Sequence, residues 1–247
     1  RVAAGSVRDF VLGVRMLDGK GDDLHFGGQV MKNVAGYDVS RLMVGAMGTL
    51  GMLLEVSLKV LPLPSAELTL QYVMPEADAI EKMNQWAGQP LPISASCFCD
   101  GELTLRLSGA EPAVKAAHAK LGGEVVTDGQ AFWQSVREQT HGFFQPGKSL
   151  WRLSIKSTTP PLSLPGQQLM EWHGALRWLV CDEKTDAETI RQVAKAAGGH
   201  ATLFRGDAAR GHVFHPLDPG MMTIHRALKQ KFDPAGIFNP GRLYQEF

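Results

Sequence analysis

Gly45, Gly48 and Gly51 recur at every third residue inside a stretch, residues 27–62, that closes on an apolar run over 53–61. Gly27, Gly28 and Gly36 interrupt its first half. A glycine backbone can turn tightly or lie against a flat ligand, because no Cβ intervenes. The pattern therefore offers a nest of main-chain N–H groups feeding a strand. Such a nest suits hydrogen bonds to a phosphate, a carbonyl or the edge of a ring. The glycine spacing and the element that follows match neither a phosphate-binding P-loop nor a dinucleotide fingerprint. Met43, Met47 and Met52 can line a groove or simply fill core space. Asp38 and Arg41, at i,i+3, read either as a surface clip or as a ligand-positioning pair.

Other residue types carry weaker signals. Arg152, Lys156, Arg177 and Arg205 fall in or just beyond strand-like runs. A guanidinium there can hold a carboxylate by two parallel hydrogen bonds, although sheets facing solvent also carry arginines. Arg205 is favoured because Gly206 frees the chain next to it. His212 and His215 are three apart, with His200 near the same edge. A metal would need at least a third convergent ligand, for which Asp207 or Asp218 could serve in principle. Ordinary packed histidines or a substrate contact are the other readings, and no metal site is assigned. Cys97 and Cys99 share one face of a strand and lack the Cys-x-x-Cys spacing of a redox pair, so they read as small core residues. Asn239, in Asn-Pro-Gly, either closes an Asx-type turn or meets a ligand.

The elements that must position these groups follow from period and punctuation. Residues 7–16 and 22–26 flank Asp18-Gly19 and predict a hairpin. Residues 37–44 predict a short helical turn, and 50–60 a strand buried on one face and polar on the other. Pro62-Leu63-Pro64 breaks regular structure. Strands are expected at 68–73, 93–98, 103–107, 150–155, 172–180 and 201–205, and helices at 76–86, 112–121, 132–141 and 184–197, with a proline-rich loop over 159–166. Segregation of this kind predicts an antiparallel sheet with helices on one face. Asp218-Pro219-Gly220 opens a closing helix. Met221, Ile224, Leu228 and Phe232 form its apolar stripe, leaving His225, Arg226 and Lys229 outward.

Composition narrows the classes. With 247 residues the chain can bury a sizeable core or divide in two. Twenty-five basic residues balance twenty-five acidic ones, so no global field recruits nucleic acid or anionic lipid. Neither a membrane span nor a secretory signal is legible. Three cysteines without a repeated pair indicate a reducing compartment and argue against an iron–sulfur site in this chain.

The run with Lys32, Asn33, Gly36, Tyr37, Asp38, Arg41, Leu42, Gly45 and Gly48-Thr49-Leu50-Gly51 resembles the second half of the FAD domain of vanillyl-alcohol-oxidase (PCMH-type) flavoproteins. Phe232-Asp233-Pro234-Ala235-Gly236-Ile237-Phe238-Asn239-Pro240-Gly241 resembles the closing motif of the same superfamily. Within it, the chain is most similar to the smaller FAD-binding subunits of bacterial glycolate oxidases, relatives of D-lactate dehydrogenases.

That resemblance implies an α+β chain in three parts. Residues 1–63 would be the C-terminal part of an FAD-binding domain, 66–215 an antiparallel-sheet cap, and 216–247 a helix and tail returning to the FAD domain. It implies FAD contacts at Lys32, Asn33, Gly36, Gly45, Gly48, Thr49, Gly51 and Asn239. Met47 departs from the acidic or polar residue often found there. Catalytic candidates are Arg205, His212 and His215, the last two in a motif lacking the second glycine-bounded histidine pair of catalytic relatives. The implied reaction is oxidation of glycolate to glyoxylate, with electrons passed to an iron–sulfur subunit beside a second flavoprotein subunit, in the cytoplasm or at a membrane through the complex. A stand-alone D-2-hydroxyacid dehydrogenase and a non-catalytic structural subunit are the rivals. The resemblance also places a first FAD subdomain, with its pyrophosphate loop, ahead of residue 1. Residues 1–247 alone are then expected to bind FAD weakly or not at all, and to be inactive.

Overall fold

The computed structural model describes residues 4–30, 36–207 and 213–247. Two compact units emerge, a larger one formed by Leu63–His215 and a smaller one formed by Gly5–Pro62 together with Pro216–Phe247.

In the smaller unit, a short 3-10 turn over Val7–Phe10 leads into β1 (Val11–Leu17), which pairs with β2 (Asp23–Gly27) and with β3 (Met52–Leu58). The sheet is antiparallel, in the order β2-β1-β3. Asp18 makes the hairpin turn by accepting from Lys20 N at 2.8 Å and Asp22 N at 3.0 Å. Val14 and Met16 of β1 pack with Leu24 and Phe26 of β2 against Met43, Leu50, Leu228 and Phe232. Helix α1 (Val39–Leu42) is capped by Asp38, which accepts from Arg41 N, and helix α6 (Pro219–Phe232) by Asp218, which accepts from Met221 N. Only the second half of the α6 stripe is used. Leu228 and Phe232 join the core, while Met221 and Ile224 stay exposed. Strand β3 also departs from expectation. Leu53, Leu54, Val56 and Leu58 are all exposed, so neither face is buried. Among the described residues it is an edge strand with one neighbour, and the α6 core reaches β1 and β2 rather than β3.

In the larger unit, β4 (Ala66–Val73), β5 (Ile93–Cys99), β6 (Glu102–Gly109), β7 (Glu124–Val125), β8 (Ser149–Ser154), β9 (Gln167–Glu171), β10 (Leu176–Cys181) and β11 (His200–Arg205) form one sheet. Its order is β11-β8-β10-β9-β5-β6-β4-β7, with every described pairing antiparallel. Alternation along β6 sends Leu103, Leu105 and Leu107 to the face covered by α2 (Glu76–Ala87) and α3 (Glu111–Leu121). Farther along that face, α5 (Ala187–Ala196) covers Trp151, Leu153 and Leu179. Helix α4 (Gly129–Glu138) takes the opposite face, where Trp133 Nε1 donates to Thr69 Oγ1 at 3.0 Å and Val136 packs with Cys97, Cys99 and Trp178. The α+β architecture with an antiparallel sheet is thus present.

The sequence reading of one strand over 172–180 is replaced by a strand pair. β9 and β10 join through Trp172, His173 and Gly174, at φ of 53°, 56° and 89°. Left-handed backbone costs roughly 1–2 kcal/mol per non-glycine residue, so this turn is held from outside. His173 N donates to Ser96 Oγ at 2.9 Å, and Asn84 Nδ2 donates to His173 O at 3.3 Å. Fully buried Arg177 closes the network by donating to the carbonyls of Gly174, Pro160 and Thr159.

Candidate functional site

The smaller unit holds a cleft of about 400 Å³, inside the range of about 300–1,000 Å³ usual for ligand sites. Ala46, Gly48, Leu50 and Gly51 form one wall, and Phe238 and Asn239 belong to the other. The loop wall is shaped by left-handed backbone at Gly45 (φ 87°), Met47 (φ 53°) and Gly48 (φ 71°). Thr49, itself buried, donates its Oγ1 to Ala46 O at 2.7 Å and so braces the loop from within. The tail wall is shaped by Asp233, which accepts from Ile237 N at 3.1 Å and Phe238 N at 2.8 Å and folds the chain back after α6.

Two cross-links join the walls. Asn239, at φ 40°, donates Nδ2 to Met47 O at 2.8 Å, although 192 positions separate them. Behind the cleft, Lys229 Nζ donates to Thr49 O at 2.9 Å, Phe238 O at 2.6 Å and Asp233 Oδ2 at 2.6 Å. Burial works to raise the Asp233 carboxyl, but the Lys229 ammonium and the two tail N–H groups outweigh it and hold the acid below its ordinary range. Lys229, read from sequence as outward-facing, is therefore buried. The spacing that could have found it is Lys229 to Asp233, one helical turn apart at a helix C-terminus, where a cation is favoured.

Gly48, Gly51, Thr49 and Asn239 come together here, with Gly45 in the same loop. The glycines act for different reasons. A Cβ on Gly48 would lie 2.7 Å from Asn239 Nδ2, whereas one on Gly51 would lie 2.6 Å from Leu17 O, in the unit's own packing. Gly36 is exposed with open space where a Cβ would stand. Lys32, Asn33 and His212 lie outside the described residues. Of the methionines, Met43 and Met52 line the cleft, Met43 also filling the core, while Met47 is exposed and outside the lining.

In the larger unit the remaining candidates have separate partners, except that His215 lies close to His200, and His200 to Arg152. Arg177 serves its strained turn, and its burial lowers the guanidinium pKa while Glu76 opposes that shift. Arg205 donates to Gln139 Oε1 at 2.8 Å. His215 Nδ1 accepts from Ala201 N at 3.4 Å. Among the described residues, no three His, Cys, Asp or Glu side chains gather as for a metal ion, and no helix is long and apolar enough to cross a membrane. Burial pushes the Cys97 thiol well up and Cys99 to about 12, which withholds the nucleophilic thiolate.

Burial lowers the pKa values of His173, His200 and His215. A depressed histidine contributes stability that is fully present above the unfolded value of about 6.5 and is lost as pH falls below it towards the folded value. All five tryptophans, Trp86 to Trp178, lie in the larger unit, so their fluorescence reports that unit alone. Its urea midpoint should be lower at pH 5.5 than at pH 7.5, and His173→Asn, which tolerates left-handed backbone, should shrink the difference. Equal midpoints at the two pH values would count against this account.

No family model matches the chain. It is 52% identical over 246 residues to "Glycolate oxidase subunit GlcE" of Escherichia coli (strain K12), covering 98% of this chain and 67% of that protein. Shorter likenesses reach "Glycolate oxidase subunit GlcD" of Bacillus subtilis (strain 168), 41% identical over 75 residues, 30% of this chain and 16% of that one. They also reach D-2-hydroxyglutarate dehydrogenase of Stutzerimonas stutzeri (strain A1501), 36% identical over 76 residues, 31% of this chain and 16% of that one. The fold is similar to a solved alkyldihydroxyacetonephosphate synthase, with a TM-score of 0.57 over 96% of this chain and 54% of that one. At 13% identity that likeness speaks for the fold alone.

Proposed function

The chain belongs to the family of the glycolate oxidase subunit GlcE, within the FAD-dependent 2-hydroxyacid oxidoreductases, and from that premise we propose that it is an FAD-binding subunit of a glycolate-oxidising assembly. The observation that carries the reading is the cleft between the glycine loop and the Asn239 tail. Its walls fit a flavin ring. Leu50 and Phe238 offer apolar surface, and the close backbone approach at Gly48 suits a flat ligand.

Gly45, Gly48, Gly51 and Asn239 would hold the flavin end of FAD, with Thr49 bracing the loop. Lys32, Asn33 and Gly36 would extend the contacts along the cofactor. FAD, when bound, supplies the two-electron acceptor for a hydride from the hydroxyl-bearing carbon of the substrate. The contribution of this chain is to bind, orient and desolvate. The Asn239 amide spans the loop and tail, fixing the shape of the cleft before any ligand arrives. Electrons would pass to an iron–sulfur subunit, with a second flavoprotein subunit completing the assembly.

The test is titration of the full-length protein with FAD beside a Gly48→Ala variant. The added methyl would press on Asn239 at a left-handed position. Affinity should fall by about tenfold or more, roughly 1.4 kcal/mol, while amide exchange along β1 and β2 of the same unit stays put. Undiminished FAD binding by the variant would sink this assignment of the cleft. A second reading, a D-2-hydroxyacid dehydrogenase that acts alone, is favoured by the short likeness to D-2-hydroxyglutarate dehydrogenase. Dye-coupled oxidation of glycolate by the purified protein at the rate of the co-expressed assembly would select it.

A further inference from the structure

We infer that Lys229, with Asp233 as its counter-charge, is a positioning residue that sets the spacing between the two walls of the cleft. The inference rests on the reading of that cleft as the flavin site and adds a residue to it that touches no ligand. An ammonium has three donors, and Lys229 directs one to the loop at Thr49 O, one to the tail at Phe238 O and one to Asp233. Thr49 lies between Gly48 and Leu50, which line the cleft, and Phe238 lines it directly. One nitrogen therefore grips both walls through main-chain atoms, so the grip does not depend on which side chains the walls carry.

Electrostatics distinguishes this from ordinary packing. Lys229 is 6% exposed and Asp233 2%. An apolar pair of similar volume would avoid the desolvation cost of two buried charges and would often be as stable. What an apolar pair cannot do is hold two carbonyls at hydrogen-bond distance from a common point. Asp233 adds to the device by accepting from Ile237 N and Phe238 N, which fixes the tail that Lys229 then pulls towards the loop. The Asn239 to Met47 bond is a separate cross-link between the same walls. Loss of Lys229 should therefore loosen the cleft and leave the unit folded.

The experiment uses the full-length protein with the double substitution Lys229→Met, Asp233→Asn, which removes both charges together and leaves neither stranded. Two readouts are taken: affinity for FAD, and amide exchange at 48–50 and 237–239 without FAD. Val11→Ala, in the core of the smaller unit, is the control for general destabilisation. The double variant should melt cooperatively, bind FAD about tenfold more weakly or worse, and exchange faster at those two segments than elsewhere. The control should speed amide exchange across β1 and β2 and leave FAD affinity unchanged. If the double variant does not fold, Lys229→Arg takes its place. A planar fork keeps the charge but cannot set three donors on the same three acceptors, so weaker FAD binding is again expected. Wild-type affinity and wild-type exchange in the folded variant would overturn the inference. If the unsubstituted protein bound no FAD, the flavin reading would fall, and the exchange readout alone would decide the positioning role.

Discussion

Replacing Arg177 by leucine should lower the stability of the larger unit by about 1–3 kcal/mol, the cost of an unpaired buried polar group, because it strands the buried Gly174 carbonyl and leaves the part-buried Pro160 and Thr159 carbonyls to water. The lower end applies because removing the guanidinium also removes its own desolvation cost. Arg177 is fully buried and donates to Gly174, Pro160 and Thr159, which ties the 159–160 loop to the left-handed turn of Trp172 and His173. Arg177→Lys should recover only part of the loss, because an ammonium on a shorter stem cannot reproduce the fork. Urea denaturation followed by tryptophan fluorescence checks both variants. A midpoint for Arg177→Leu equal to that of wild type would show that the three carbonyls find other donors.

Asp233→Ala should cost the smaller unit about 3 kcal/mol, the lower end for breaking a buried ion pair. The loss has two sources. Lys229 keeps a buried charge without its counter-charge, and Ile237 N and Phe238 N lose their acceptor. Asp233→Asn should cost less, since a neutral amide oxygen still accepts. The folded pKa of Asp233 is depressed, so its contribution is present above the unfolded value of about 3.9 and is lost as pH falls through the folded value. The smaller unit contains no tryptophan, so amide exchange along α6 and residues 45–51 is the appropriate measurement. Unchanged exchange in Asp233→Ala at neutral pH would refute the estimate.

Much of the chain was legible before any coordinates, for local reasons. The Asp18-Gly19 hairpin, the Asp218-Pro219 helix start and the leucine alternation of β6 are each specified within a few residues. The antiparallel character of the larger sheet followed from the grouping of strands and helices. The failures share a cause. Trp172 and His173 are not residue types that announce left-handed backbone, and Gly174 after them read as part of a strand, because Ser96 and Asn84 impose the turn from distant elements and Arg177 from the adjoining strand. Lys229 looked like a surface lysine because its three acceptors lie at Thr49, Asp233 and Phe238, one of them 180 positions away. Arg205 and Arg177 looked alike in sequence, yet one meets Gln139 and the other is sealed among carbonyls. β3 read as half-buried because its apolar residues are real, but exposure at an edge depends on what lies beside it.

By itself the sequence determined where backbone must bend and which faces must be apolar, since glycine, proline, cap residues and hydrophobic period act over a turn or two. It also carried two motifs near opposite ends that resemble one superfamily. The resemblance implied that the tail returns to the loop, and tertiary structure alone decided how the two walls are joined, by Asn239 to Met47 and by Lys229 to Thr49 and Phe238. The physical reason is that a buried lysine or arginine is tolerated only where acceptors converge on it. Convergence of main-chain carbonyls from separate segments is a property of the folded backbone, and no single stretch of side chains encodes it.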